Sequence, residues 1–188
     1  MSKKEKIEIE FRSIFSKKKY NQLKSFLDKN AENLGLDNKN VFFFIMPEKL
    51  LKVTDNESKD SAKFTLKLNK IGKGSDFKEL EVPIERGDVN KTVKIFKKLG
   101  FDEVQESYQK RHNYEYKGVE IALKWSETWT YHIELEILIE DKKKKEMAKK
   151  RIKEVADELN VNLMTDEELK SFTEKVDKKL REEKEQKK

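Results

Sequence analysis

The chain has 188 residues and a formal net charge of +6; 43% of its residues are charged and only 35% are hydrophobic. It contains no cysteine, which excludes both a disulfide framework and a thiolate metal site. No apolar run approaches the ~18 residues of a membrane span, and Met1–Lys6 has no signal-peptide core, so a cytoplasmic protein without membrane contact is expected.

The length suits one domain, placed at 1–180, followed by a charged tail at 181–188 that has no apolar anchor and should fray. Residues 142–188 hold 16 Lys and Arg against 12 Asp and Glu, so that stretch supplies +4 of the +6. The remainder is nearly balanced, with acids and bases interleaved. A nucleic-acid footprint is a basic stripe, and outside Lys142–Lys145, which reads as a solvated helix start, there is none.

Strict alternation opens the chain, with Ile7, Ile9 and Phe11 on one face of a strand and Glu8, Glu10 and Arg12 on the other. Beyond Ser16, the spacing of Tyr20, Leu23, Leu27 and Leu34 predicts a helix ended by Gly35. Val41 to Met46 reads as a buried strand ending at a Pro47 turn, Leu50 to Thr54 as a short strand, and Asp55 to Asp60 as a loop. Alternation returns at Phe64, Leu66 and Leu68, and a hairpin-like connection at Gly72 and Gly74 leads to Leu80, Val82 and Ile84. The Gly72–Ser75 stretch lacks the spacing of a phosphate-binding loop.

Asp88 is placed to cap a helix carrying Val89, Val93, Phe96 and Leu99, closed by Gly100. Strands follow at Phe101–Tyr116, Val119–Trp125 and Trp129–Glu140, with Gly118 in a turn. Asp141 is placed to cap a helix with Ala148, Ile152, Val155 and Leu159 on one face. Thr165 and Glu168 have capping-box spacing ahead of Leu169, Phe172, Val176 and Leu180.

Three Glu-x-Glu pairs stand on strands: Glu8/Glu10, Glu79/Glu81 and Glu134/Glu136. Because side chains alternate across a strand, each pair puts both carboxylates on one face, as it does Arg12, Lys67, Arg111 and Lys52 on theirs. For any single strand, the simpler reading is a charged face open to water. The whole set reads differently, because four amphipathic helices need an apolar surface to cover. If they cover the apolar face, the charged faces close on one another, and about eight strands suffice for a barrel. The fold class expected is α+β: an eight-stranded antiparallel β-barrel, or tunnel, with helices outside and two C-terminal helices. Lys and Arg in such a bore suit a polyanion, and carboxylates suit a divalent cation.

The ordered motifs resemble those of the CYTH family, the triphosphate tunnel metalloenzymes. That family includes class IV adenylyl cyclases, thiamine triphosphatases and inorganic triphosphatases. Glu8-Ile9-Glu10-Phe11-Arg12 looks like its Glu-x-Glu-x-Lys signature with Arg in the Lys position. Thr65-Leu66-Lys67, Glu79-Leu80-Glu81, Leu99-Gly100-Phe101, Arg111 with Tyr114, and His132 to Glu136 resemble later family motifs in the family order, over roughly residues 5–175.

The resemblance implies Mg2+ or Mn2+ on Glu8, Glu10, Glu134 and Glu136. It implies a triphosphate (tripolyphosphate, nucleoside or thiamine triphosphate) on Arg12, Lys52, Lys67 and Arg111, with Lys67 and Arg12 as the catalytic cations. Glu79 and Glu81 would serve metal or substrate orientation. The chain departs from the family pattern at Arg12, Thr54, Phe77, Gln109 and Lys124, and arginine is a poor general base.

These residues lead to a triphosphatase in which metal-activated water attacks the terminal phosphoryl group. A class IV-type cyclase making cyclic AMP and pyrophosphate, and a non-catalytic triphosphate- or polyphosphate-binding module, are the competing readings. A plain β-sheet interaction protein would instead leave the acidic pairs in water. His112 and His132 read as structural or solvent-facing, Trp125 and Trp129 as packing residues, and Phe42 to Phe44 as core with one ring at the tunnel mouth.

Overall fold

The structure is a computed structural model that describes residues 7–46, 49–68, 76–77 and 79–185. The expected turn at Pro47 and the Gly72/Gly74 connection lie outside the described residues. The strands are β1 (Ile7–Ile14), β2 (Glu32–Leu36), β3 (Lys39–Ile45), β4 (Leu50–Asn56), β5 (Ser61–Lys67), β6 (Asp76–Phe77), β7 (Glu79–Ile84), β8 (Val104–Tyr116), β9 (Val119–Ser126) and β10 (Thr130–Ile139). The helices are α1 (Lys17–Asn30), α2 (Val89–Lys98), α3 (Lys145–Glu158) and α4 (Asp166–Glu185). None of them is long and apolar enough to cross a membrane.

All strand pairs are antiparallel, in the order β6-β1-β10-β9-β8-β3-β4-β5-β7, with β2 added to β8. β6 and β7 are one residue apart in the chain. β6 pairs with β1 through Glu8↔Phe77, and β7 pairs with β5 through Lys67↔Glu79. One stretch of chain therefore lies at both ends of the strand order, and the sheet curls as the expected barrel requires.

The helices cover the outer apolar face in two groups. α1 and α3 bury Leu23, Leu27, Ile152 and Val155 against Ile9, Ile121, Leu123 and Leu135. α2 buries Val89 and Val93 against Phe44, Leu51 and Val53. The outward Leu80 and Val82 of β7 stay exposed, while Ile84 at the end of that strand packs on the α2 cluster.

Local signals explain most boundaries. Lys117 and Gly118 both have positive φ, 54° and 77°, which makes the two-residue β8–β9 turn of the type that matches strand twist. At the end of α2, Gly100 at φ 95° lets Phe101 N reach Phe96 O at 3.1 Å. The capping box forms as spaced, with Thr165 N donating to Glu168 Oε2 at 2.8 Å and Glu168 N to Thr165 Oγ1 at 3.2 Å.

Two local expectations are corrected. The first helix ends at Asn30, and Leu34 and Gly35 belong to β2. Gly35, at φ 88°, sits where the β2–β8 register shifts between Asn33 and Gly35; its conformation serves a bulge and does not end a helix. Asp88 precedes α2, but its carboxylate takes Lys91 Nζ at 2.5 Å and makes no side-chain cap to the helix backbone.

Candidate functional site in the barrel bore

The inward faces of the strands enclose a cavity of about 670 Å3. Every candidate residue from the sequence lines it: Glu8, Glu10 and Arg12 from β1, Lys52 from β4, Lys67 from β5, Glu79 and Glu81 from β7, Arg111 from β8, and Glu134 and Glu136 from β10. The period-two pattern accounts for most of this, since β1, β4, β5 and β10 turn their apolar alternates toward the helices. Thr173, Val176 and Asp177 also line the cavity, so α4 lies across one end of it and does not merely pack outside.

Carboxylate oxygens of Glu8, Glu10 and Glu136 all lie within 4.8 Å of one another. Strand register brings them together, because Glu10 is paired with Glu136 and Glu8 lies two residues along the same face. Crowding three carboxylates out of water forces a proton among them. Burial, then a hydrogen bond to Glu10, pushes the Glu8 carboxyl up to about 9. Burial also raises Glu136, to about 7, against the pull of Arg111. Burial works against the Glu10 charge as well, but Arg12 and Lys67 outweigh it and hold that carboxyl near 2.

Lys67 faces this group from β5, with Nζ 2.6 Å from Glu79 Oε1, 3.4 Å from Glu8 Oε1 and 3.8 Å from Glu10 Oε2. Burial opposes its charge, yet the three carboxylates raise its pKa, so it is a fixed cation and not a base. Arg12 pairs with Glu10 and, at 3.1 Å, with Glu134. Lys52 makes no ion pair among the described residues; burial and then neighbouring Lys67 bring it down to about 8. Glu79 and Glu81 differ in setting. Glu79 meets Lys67, whereas Glu81 sits at the rim, where Lys63 Nζ at 2.5 Å and Thr65 Oγ1 at 3.2 Å hold it.

Glu134 stands apart from the three-carboxylate group. It is only 6% exposed and is ringed by cations: Lys124 at 2.9 Å, Arg12 at 3.1 Å and Arg111 at 3.3 Å. Despite burial, they hold its carboxyl well below the usual range. Arg111 reaches further, with Nη2 3.6 Å from Glu120 and 3.9 Å from Glu136, and Nε 3.4 Å from Asp37.

The bore also holds residues beyond those that the sequence singles out. Lys124 carried a signal, since it shares its face of β9 with Glu120 and opposes Ile121 and Leu123. Asp37 and Lys39 carried none, because the Val41–Met46 run has no alternation to extend. His132 is buried at 3% exposure, with Nδ1 3.0 Å from Thr130 O, and His112 is tied to Tyr114 and Asn33. Phe44 lies in the core, while Phe43 lines the bore. Trp129 packs on Phe172 with centroids 5.0 Å apart and also borders the bore, 5.4 Å below the Arg12 guanidinium. Trp125 lies under Lys110, at 5.5 Å.

A curled antiparallel sheet whose concave face is lined by carboxylates and cations, with helices on its apolar exterior, defines a charged-tunnel domain. Residues 6–168 match the CYTH domain, and the chain belongs to the CYTH family. Among solved structures, a conserved hypothetical protein from Pyrococcus furiosus is 26% identical with a TM-score of 0.70, covering 84% of this chain and 94% of that one. An adenylyl cyclase candidate from Hippeastrum, described as having a dominant triphosphatase activity, is 16% identical with a TM-score of 0.60 (84% and 89% covered). A chain of the Schizosaccharomyces pombe Mediator head module is 13% identical with a TM-score of 0.61 (84% and 97% covered). The last two share the fold, and as that pair shows, the fold does not by itself carry an activity. A comparison with curated proteins gave no match.

Proposed function

We propose that the chain is a metal-dependent phosphohydrolase that cleaves the terminal phosphoanhydride of an inorganic or organic triphosphate held in the bore. Water adds to the terminal phosphorus, the bridging P–O bond breaks, and orthophosphate and a diphosphate leave. The observation that carries this reading is the facing of two groups across one cavity. Glu8, Glu10 and Glu136 converge within 4.8 Å, and Lys52 and Lys67 stand opposite with Arg12 and Arg111 beside them.

Three hard oxygen donors at that spacing fit a divalent cation such as Mg2+ or Mn2+. Bound there, the cation would neutralise phosphate oxygens and lower the pKa of a neighbouring water. The chain's own groups bind and orient. Lys52, which makes no close ion pair among the described residues, and Lys67 take phosphate oxygens as point charges, while Arg12 and Arg111 offer planar forks to them. Glu134 is assigned to orienting Arg12, Arg111 and Lys124, since three cations already occupy its oxygens. Glu79 orients Lys67, and Glu81 is a rim residue. With phosphoryl transfer, such positioning and charge neutralisation is most of the catalysis. The same reading places the chain in the cytoplasm, where nucleoside triphosphates and Mg2+ meet.

The test is orthophosphate release from tripolyphosphate, ATP and thiamine triphosphate with Mg2+ or Mn2+, for the wild type and for Glu10→Ala and Lys67→Ala. Metal-dependent release lost in both variants is expected. Cyclic AMP and pyrophosphate from ATP would reassign the site to cyclase chemistry. Tight binding with no product would leave a binding module.

A further inference from the structure

One carboxylate in the bore sits among three cations. Asp37, in the connection between β2 and β3, is 5% exposed and lines the same cavity as Lys67 and Arg12. Lys39 Nζ lies 2.8 Å from Oδ2, Arg111 Nε 3.4 Å from Oδ2 and Lys59 Nζ 3.7 Å from Oδ1. Two amides complete the shell, Asn56 Nδ2 donating to Oδ1 at 2.5 Å and Asn113 Nδ2 to Oδ2 at 3.5 Å. Three cations and two neutral donors around one anion are the donor set of a phosphate site. Arg111 also answers to Glu134, Glu136 and Glu120, so Lys39 and Lys59 are the two cations that Asp37 meets as a single charge.

Its backbone is tied down. Asp37 N donates to Arg111 O at 2.8 Å, and Arg111 N donates to Asn38 Oδ1 at 3.0 Å, so the connection is pinned to β8 beside Arg111. Arg111 is the shared member. Its Nε serves Asp37, and its other nitrogens face Glu134, Glu136 and Glu120. The Asp37 cradle is therefore joined to the three-carboxylate group through Arg111, which reaches Glu136.

We propose that Asp37 sets the length of phosphate chain the bore accepts, its carboxylate filling the anion position beyond Arg111 that a fourth phosphoryl group would need. The inference rests on the reading of the bore as a triphosphate site and adds a specificity residue to it. A chain of three phosphates ends short of the cradle; a chain of four meets a fixed negative charge. A purely structural ion pair would make Asp37 matter for stability and leave the preference between the two chains untouched.

The experiment is calorimetric titration of the full chain with tripolyphosphate and with linear tetrapolyphosphate, using Ca2+ as the divalent cation. Wild type should favour tripolyphosphate, and Asp37→Asn, which keeps the shape and removes the charge, should shift the ratio of dissociation constants toward tetrapolyphosphate by about ten-fold, the worth of one charge-assisted contact. An unchanged ratio in Asp37→Asn overturns the proposal. Should that variant not fold, Lys59→Glu replaces a side chain that is 53% exposed and adds a second negative charge at the same end. It should weaken tetrapolyphosphate about ten-fold and tripolyphosphate by less than about two-fold; equal weakening of both overturns the proposal. A wild type that binds neither chain removes the triphosphate reading together with this one, and is recognised before any substitution is made.

Discussion

Lys124 Nζ on β9 lies 2.9 Å from Glu134 Oε1 on β10, both inside the bore and both nearly closed to solvent. Arg12 and Arg111 reach the same carboxylate. Removing that carboxylate leaves three buried cations short of an anion. Glu134→Ala should therefore cost about 3–5 kcal/mol, the range for breaking a buried pair. Lys124→Met should cost less, because Arg12 and Arg111 still compensate Glu134. Urea unfolding of the two variants measures this, and a Glu134→Ala protein as stable as wild type would contradict it.

His132 lies against this network. Burial first, and then the Lys124 charge, push its ring down to about 3 from an ordinary 6.5. A group with a depressed folded pKa contributes stability that is present above the unfolded value and lost as pH falls toward the folded one. The wild type should lose stability from His132 between about pH 6.5 and about pH 3, and His132→Gln should not. Urea midpoints compared across that range would then converge toward acid; parallel curves would refute the assignment.

The three-carboxylate group has the opposite sign. Glu136 and Glu8 are raised to about 7 and about 9, so in the metal-free protein their contribution is present below the ordinary 4.5 and is lost as pH rises through those values. A divalent cation competes with the same protons. The melting-temperature gain given by Mn2+ should grow between about pH 6 and about pH 9 and shrink in Glu136→Gln. A gain independent of pH would mean that the ion binds elsewhere.

Lys67 is held charged by three carboxylates and faces the bore. Lys67→Met keeps the length of the side chain and removes its charge. Tripolyphosphate affinity should fall ~10–100-fold, as expected for losing one charge-assisted contact in a buried site. Calorimetry decides it, and unchanged affinity would exclude Lys67 from phosphate binding.

The chain has two tryptophans, and only Trp129 borders the bore. Its ring lies 5.4 Å from the Arg12 guanidinium, a cation that a bound polyphosphate would draw away. In a Trp125→Phe background, tripolyphosphate should change the emission of Trp129. Silence at saturating ligand would place the phosphates away from Arg12.

How much of this was legible depends on the strand. β1 and β10 up to Ile137 alternate polar and apolar residues, so the inward faces of those stretches are readable residue by residue. β3 reads as a continuous apolar run, because its Val41 and Phe43 line the bore and Phe44 the core. The Asp37 and Lys39 positions beside it were therefore invisible. Gly35 looked like a helix stop because a left-handed residue ends helices and makes bulges equally well. Only its partner strand, β8, tells the two apart.

By itself the sequence determined the periodicity of the elements, the apolar and charged sides of most strands, and the inventory of acids and cations. Those depend on neighbours two to four residues away, where backbone geometry is local. It did not determine the partners. Glu134 meets Arg12 and Arg111, and Asp37 meets Asn113, across long stretches of chain. Register and the joining of β1 and β5 through β6 and β7 put them within reach. Tertiary structure thus decided that three carboxylates converge while Glu134 is sealed among cations, because charge pairing depends on distance in space and not on order along the chain.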